Sequence, residues 1–508
     1  MQDRLFALLA LIAAAAIVFG IVGAPSYTDA YYHFNAAHRL AAGQGLTDPY
    51  IWTYIGAASA LPMPSHLYWM PMTSVLSGVS MTLLNAPGSY VAAQVPLMLL
   101  FWLTACVGYV LGWRLGGSGR HAWVSGLLTL LSPFFVRYWG ATDTFAPYAF
   151  FGSACLLLTG AAIQRPRLWL WAGCGALAAL AHLTRADGLL LLLVAAVFAL
   201  TSNAALRTRL GHLVVLVAAY LAVMSPLLVR NLQAIGAPLP LGGTQAIWFR
   251  EYNDIFSYPP DASMERFFAD GPALLWETRR EALVNNLATV IAVEGVVVLL
   301  PLMLLGLWRR RRDRFLHPFV LYALGMHLAM TFIFPYPGYR GGLLHSAAAL
   351  IPFWSALAVI GLDSAVEWLS RRRRGWRTGT AASFFSAGMV LLAAALAVFY
   401  ASSGRVAPAS ETPALYAELQ AVLPEGVRVL FDDVPELYYF TGLGGATLPN
   451  SPPAAILEIA RQYDIDFLVL KNDTAAIPTD LQSIVHSPPD FLRPLNFSSA
   501  RLYAIQHE

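Results

Sequence analysis

Long apolar runs alternate with short polar joints through the first four-fifths of the chain. The runs are Leu5 to Ala24, Val91 to Trp113, Ala122 to Val136, Phe145 to Ile163, Leu168 to Leu183, Gly188 to Leu200, Leu213 to Leu228, Leu287 to Leu307, Phe315 to Phe334, Leu343 to Leu362 and Ala381 to Tyr400. Most approach the ~20 residues that a helix needs to cross the hydrocarbon core. They predict a mainly α fold, a polytopic transmembrane bundle of about eleven spans. The fifth and sixth runs are short and read as two tilted helices or a re-entrant pair.

Two of the joints are long. The first, 25–90, contains LYWMPMTS, Leu67 to Ser74, and then an apolar run to Leu84 that is too short to span. Tyr68 and Trp69 suit the headgroup level, so this segment is expected to lie in the interface. The second, 230–286, holds GGTQAIWFREYNDIF and a string of charges, and reads as a lid or an acceptor platform. After Tyr400 the pattern changes. VRVLFDD, AAILEIARQYDIDFLVL and ARLYAIQ read as strand, helix and strand, and strand of a small α/β domain. The expected organisation is a membrane domain over 1–401, with external loops 25–90 and 230–286, and a soluble extracytoplasmic α/β domain over 402–508.

Composition agrees with the membrane reading. With 57% hydrophobic and 12% charged residues in 508, the chain exceeds what one soluble core absorbs. A cytoplasmic N-terminus puts Arg4, Arg114, Arg120, Arg165, Arg167, Arg207, Arg209, the Arg309 to Arg314 cluster and the Arg371 to Arg377 cluster on one face. That topology needs an even number of crossings between Arg167 and Arg207, which favours two short helices there. The RRRRGWR run at Arg371 is a topology anchor. The net charge of +3 comes from these arginines and gives no reason to expect a nucleic-acid partner. The expected place is the plasma membrane, with lipids as neighbours. MQDR followed by the first run and Val22, Gly23, Ala24 also fits a signal peptide, but the run is read as a retained span. Cys106, Cys155 and Cys174 sit within apolar runs and imply no disulfide framework.

A carboxylate at the lip of a hydrocarbon slab is costly to hold and marks a functional site by default. Asp29, in YTDAYYHF just after the first run, is the leading candidate, with His33 one helical turn on and on the same face. His33 reads at least as well as an ordinary interfacial histidine. His66 lies in the same loop. Asp143, in ATDTF, opens the fourth run, where an N-cap role weighs equally against a chemical one. Arg185, beside Asp187 in HLTRADG, Arg230 in SPLLVRN, and Arg340 with His345 in YRGGLLHS fall on the same expected face. Arginine's planar fork suits phosphate, and its ordinary alternative is membrane anchoring.

The order of these motifs, TDAYYHF, HLYWMPMTS, ATDTF, HLTRADG, SPLLVRN and YRGGLLHS before a soluble tail, resembles the GT-C superfamily of integral-membrane glycosyltransferases. It is similar to bacterial protein O-mannosyltransferases and aminoarabinose transferases, and more distantly to oligosaccharyltransferase catalytic subunits. The resemblance implies transfer of a sugar, usually with inversion, from a polyprenyl-phosphate donor to a glycan, lipid or protein acceptor at the external face. Asp29 would be the base, Asp143 would orient the acceptor, and the arginines would face the phosphate, with His33, His66 and His345 among the substrate-binding groups. A divalent cation such as Mg or Mn would be shared by Asp29 and Asp143 if one is used. TDAYY has no second acid two residues on, unlike the DxD-type motifs of some members, and no tightly bound metal is therefore expected. A lipid or saccharide transporter (flippase) would instead place charge near the bilayer midplane in two related halves, and only Glu294 sits well inside a run. A polysaccharide polymerase or ligase would use a large external loop rich in Arg and His, as 230–286 partly is.

Overall fold

The computed structural model describes residues 2–269, 271–372, 377–406 and 412–507; part of the RRRRGWR run, 373–376, lies outside these. Each apolar run falls on helix. Among the described residues seven helices are long and apolar enough to cross a membrane: Gln2–Ile21, Tyr90–Gly116, Phe145–Gln164, Leu206–Ile235, Arg314–Ile333, Pro335–Ser370 and Thr378–Ser403. The third run forms the 12-residue helix Gly119–Leu130. The fifth and sixth form two helices, Leu168–Thr184 and Leu189–Leu200, joined by the turn Ala186–Gly188. The eighth is broken. Helix Gly271–Thr289 passes into a π turn, Val290–Glu294, and Val296 and Val297 then take left-handed φ values of 46° and 55° before Leu300–Arg310 begins. The protein is a polytopic membrane protein with a helical body and a strand-containing C-terminal region.

The chain divides into two compact units. The first comprises Met1–Gly23, Gln94–Pro226 and Trp276–Ala407. It is close-packed by small residues, as membrane helix interfaces usually are. Gly306 on Leu300–Arg310 and Gly361 on Ile351–Ser370 let two backbones meet, because a Cβ at either would overlap a carbonyl oxygen of the other helix. At the break in the eighth run the buried Glu294 accepts from Trp354 Nε1 at 2.7 Å and pairs with His327 Nε2 at 2.8 Å.

The second unit comprises Ala24–Ala93, Leu227–Leu275 and Pro408–Glu508. Its strands are β1 (Thr47–Asp48), β2 (Tyr50–Ile51), β3 (Met63–Pro64), β4 (Arg428–Phe431), β5 (Gly444–Thr447), β6 (Phe467–Lys471), β7 (Leu492–Leu495) and β8 (Ala500–Ile505). β1 and β3 form an antiparallel pair, and the others make one sheet in the order β2-β5-β4-β6-β8-β7. β2, β5, β4 and β6 run parallel, and β8 and β7 complete the sheet antiparallel. The tail from Pro408 is therefore grouped with 24–93 and with 227–275, while 276–286 of the second loop belongs to the first unit. Tyr50 and Ile51 of the first loop pair with Gly445 and Ala446, and Ile51, Tyr54 and Met63 share a core with Leu430, Ile456 and Leu468. The apolar run after LYWMPMTS forms the helix Met72–Leu83, shorter than a span. Asp432 and Asp433, the two acids that end VRVLFDD, precede helix Val434–Thr441, where Asp433 accepts from the Glu436 amide at 3.0 Å as its N-cap.

Candidate functional site

In the helical unit, three of the expected motifs assemble around Asp143. This carboxylate is 2% exposed, and its Oδ2 lies 3.0 Å from His345 Nε2. It does not cap the following helix. Thr144 holds the N-cap position of Phe145–Gln164 without a side-chain bond, and Asp143 Oδ1 accepts from the Thr144 amide at 2.5 Å. His345 Nδ1 lies 2.8 Å from Gly341 O, which can only accept, so Nδ1 carries a proton. Nε2 is then the nitrogen turned toward Asp143 Oδ2. The Gly341 backbone that presents this carbonyl has φ 128°, a conformation that favours glycine, which gives the RGG of the motif a reason. Phe145 stacks on the His345 ring at 4.0 Å.

Arg185 enters the same region. Its Nε bonds Asp187 Oδ1 at 3.0 Å and Ser346 Oγ at 3.2 Å, and its Nη2 bonds Gly342 O at 3.2 Å. Ser346 also donates to Asp187. Among the described residues Nη1 makes no hydrogen bond, so the guanidinium is fixed with one end left over for an anion. Arg340, in the π turn Gly338–Gly342, is exposed. The unit thus joins ATDTF, HLTRADG and YRGGLLHS. Ser346 and Asp187 are the additional members, and Asp187 was legible only as a partner for Arg185.

The second unit holds the other candidates. Asp29 is half-buried in the first turn of helix Thr28–Ala41, where the helix dipole favours a carboxylate, and His33 follows one turn later. His33 is buried rather than interfacial: Nδ1 meets Ser74 Oγ at 3.0 Å and the ring stacks on His66 at 5.7 Å. His66 is buried with φ 61°, and burial, then His33 and Arg230, hold its pKa well below 6.5, so the ring is neutral. The His66 amide donates to Tyr32 Oη at 2.8 Å, and Tyr32 donates to Asp48 Oδ2 at 3.1 Å. Arg230 donates to Leu46 O at 3.1 Å, Ser65 O at 2.7 Å and Asn231 Oδ1 at 3.0 Å, so it fastens the loop that carries Asp48 and His66. Arg39 does the same through Thr47 O at 2.9 Å. Asp48, 1% exposed, was missed by sequence reasoning, because an Asp before Pro49 reads as a turn residue. Burial pushes its pKa up to about 7, against the opposing effects of Tyr32, Arg39 and Arg230. Asp433, which takes the Thr28 hydroxyl at 2.5 Å, is pushed up to about 6, again mainly by burial.

No family model matches the chain, and no curated protein matches it. Solved structures do match. An oligosaccharyltransferase from Archaeoglobus fulgidus, crystallised with Zn and sulfate, is similar at 12% identity and TM-score 0.61, over 99% of this chain and 73% of that one. ArnT from Cupriavidus metallidurans, bound to undecaprenyl phosphate, is similar at 14% identity and TM-score 0.58, over 99% and 97% of the two chains. The archaeal oligosaccharyltransferase AglB with an inhibitory peptide and a dolichol-phosphate is similar at 12% identity and TM-score 0.52, over 92% and 69%. The chain shares the fold of these membrane proteins.

Proposed function

We propose that the protein is a membrane glycosyltransferase that moves a sugar from a polyprenyl-phosphate carrier to a hydroxyl or amine acceptor at the extracytoplasmic face. The observation that supports this most directly is the pairing of Asp143 with His345, beside an anchored Arg185, in a fold shared with a protein solved with undecaprenyl phosphate along nearly the whole of both chains. Asp29 accepts the acceptor's proton as the acceptor atom bonds to the anomeric carbon. The bond from that carbon to the phosphate oxygen breaks, the electron pair stays on phosphate, and the configuration inverts. Arg185 Nη1 and the exposed Arg340 offer charge-assisted donors to the departing phosphate, where negative charge grows in the transition state. The arginine pattern supports a cytoplasmic N-terminus and an extracytoplasmic sheet-bearing unit.

The residues fit a divalent cation at Asp143 and His345. Nδ1–H bonded to a backbone carbonyl is the arrangement that leaves Nε2 as a ligand nitrogen, and the carboxylate oxygen stands beside it. A bound cation would supply positive charge to an anionic phosphate.

The test is to incubate the purified protein in lipid with a panel of polyprenyl-phosphate sugars and measure release of the free lipid phosphate. Asp29→Asn is expected to lower kcat by about 10²–10⁴-fold. Activity retained in that variant removes the assignment of the base, and no turnover with any donor removes the reading. One observation favours a transport reading as second choice: the buried Glu294 pairs with the half-buried His327 where helical runs are interrupted.

A further inference from the structure

Two helices of the helical unit end side by side among arginines. Leu300–Arg310 and Ile351–Ser370 approach each other closely at Gly306 and Gly361. Beyond that contact they continue in the same direction, since Arg309 Nε donates to Ser364 Oγ at 3.1 Å and Arg309 Nη2 lies 3.5 Å from Glu367. Each helix carries the same pair of side chains at this end. Trp308 is 63% exposed and Trp368 54% exposed, and a guanidinium lies over each ring, Arg311 over Trp308 at 4.1 Å and Arg372 over Trp368 at 4.0 Å. Arg309, Arg312, Arg314 and Arg371 are exposed beside them. Of the nearby acids, Glu367 takes Arg309 and Asp313 takes Arg114. Arg311 and Arg372 have no acidic partner among the described residues.

We propose that this paired helix end is a headgroup site for an anionic phospholipid, with Arg311 and Arg372 donating to its phosphate while Trp308 and Trp368 lie at the headgroup level. A topology anchor needs positive charge alone. Two exposed indoles, each under a guanidinium, are a further feature, because a tryptophan ring is favoured where water gives way to hydrocarbon and has little reason to stand bare in solvent. Stacking holds the guanidinium plane and leaves its in-plane N–H groups free to donate, so each Arg–Trp pair presents an oriented fork. A phosphodiester in the headgroup layer supplies one negative charge and oxygen acceptors at that depth. A soluble anion would use the arginines but not the indoles. The site lies on the face that the arginine pattern assigns to the cytoplasm, and it stands independently of the transferase reading.

The experiment titrates the full-length protein in a neutral detergent with phosphatidylglycerol and with phosphatidylcholine, adds inorganic phosphate as competitor, and counts bound lipid by native mass spectrometry. Phosphatidylglycerol is expected to bind saturably and more tightly than phosphatidylcholine, and inorganic phosphate at equal concentration should not displace it. Arg311→Gln combined with Arg372→Gln should weaken phosphatidylglycerol binding about twentyfold or more, at roughly fivefold per arginine. Arg311→Lys combined with Arg372→Lys keeps the charge and loses the stacked fork; it should weaken binding severalfold, and it serves if the glutamine variant does not fold. Arg165→Gln combined with Arg167→Gln removes the same charge from an exposed turn on the same expected face and should bind as wild type. Equal binding of the two lipids, displacement by inorganic phosphate, a lysine variant that binds as wild type, or equal losses in the Arg165/Arg167 and Arg311/Arg372 glutamine variants would each overturn the site.

Discussion

Asp48 makes the stability of the sheet-bearing unit depend on pH in a direction opposite to that of an ordinary ion-paired carboxylate. Burial pushes its pKa from the usual 3.8 to about 7. The folded state therefore holds the proton more tightly than the unfolded chain, and stability falls as pH rises from about 4 to about 7, then levels off. At 1.36 kcal/mol per pH unit the gap is worth about 4 kcal/mol. That is an order of magnitude, undiscounted because the side chain is only 1% exposed. Asp48→Asn replaces the carboxylate with a neutral isostere that still accepts from Tyr32 through its carbonyl. Near pH 4 the variant and wild type should unfold at similar temperatures, and by pH 8 the variant should be the more stable. Folded regions of 150–250 residues gain roughly 2–4 °C per kcal/mol, so the expected gap at pH 8 approaches ~10 °C. Asp433, pushed up to about 6, bends both curves the same way and cancels in the difference. The assay is thermal unfolding of both proteins in one detergent from pH 4 to pH 8.5. A difference in Tm that stays constant across that range would refute the reasoning, because it would mean that the Asp48 carboxyl titrates alike in both states.

Gly306→Ala and Gly361→Ala should each lower thermal stability, by about 1–3 kcal/mol, because each methyl drives a backbone carbonyl of the facing helix away; unchanged unfolding temperatures would contradict the close approach. Glu294→Ala strands the donors of the buried Trp354 and the half-buried His327 and should cost about 1–3 kcal/mol in stability, while Glu294→Gln should fold and keep sugar transfer. If Glu294→Gln stops function more completely than Asp29→Asn does, the transport reading replaces the transferase one. Asp433→Ala removes both the cap of helix Val434–Thr441 and the partner of Thr28, next to Asp29; it should cost about 1 kcal/mol in stability and lower kcat with little change in KM. A change confined to KM would count against that positioning role.

What the sequence made legible was whatever a short window encodes. Apolar runs of about twenty residues can close their backbone hydrogen bonds in lipid only as helices, so every run could be placed and the membrane class followed. Strands β4, β6 and β8 were visible because four to six apolar residues beside an amphipathic helix leave a local trace. The break in VIAVEGVVVLLP was not visible, since the segment is apolar but for Glu294, and the partners of that residue, His327 and Trp354, lie 33 and 60 positions away. β2 is two residues long, too short for any period, and pairs with a strand nearly four hundred residues later. The site divides along the same line. ATDTF, HLTRADG and YRGGLLHS each announced a charged group at a span end, but cap and chemistry could not be separated for Asp143 until His345, 202 residues on, was seen to face it. Asp48 is the extreme case. Next to proline it is locally a turn residue, and only the closure of Trp52, Trp69 and Tyr32 over it makes it a buried carboxylate. The groups whose roles changed most between sequence and structure, Asp48, His33 and Arg230, are those whose partners come from elsewhere in the same fold, so mutagenesis guided by motif alone would pass over Asp48 and misread a loss of function at Arg230, which holds the loop that carries Asp48 and His66.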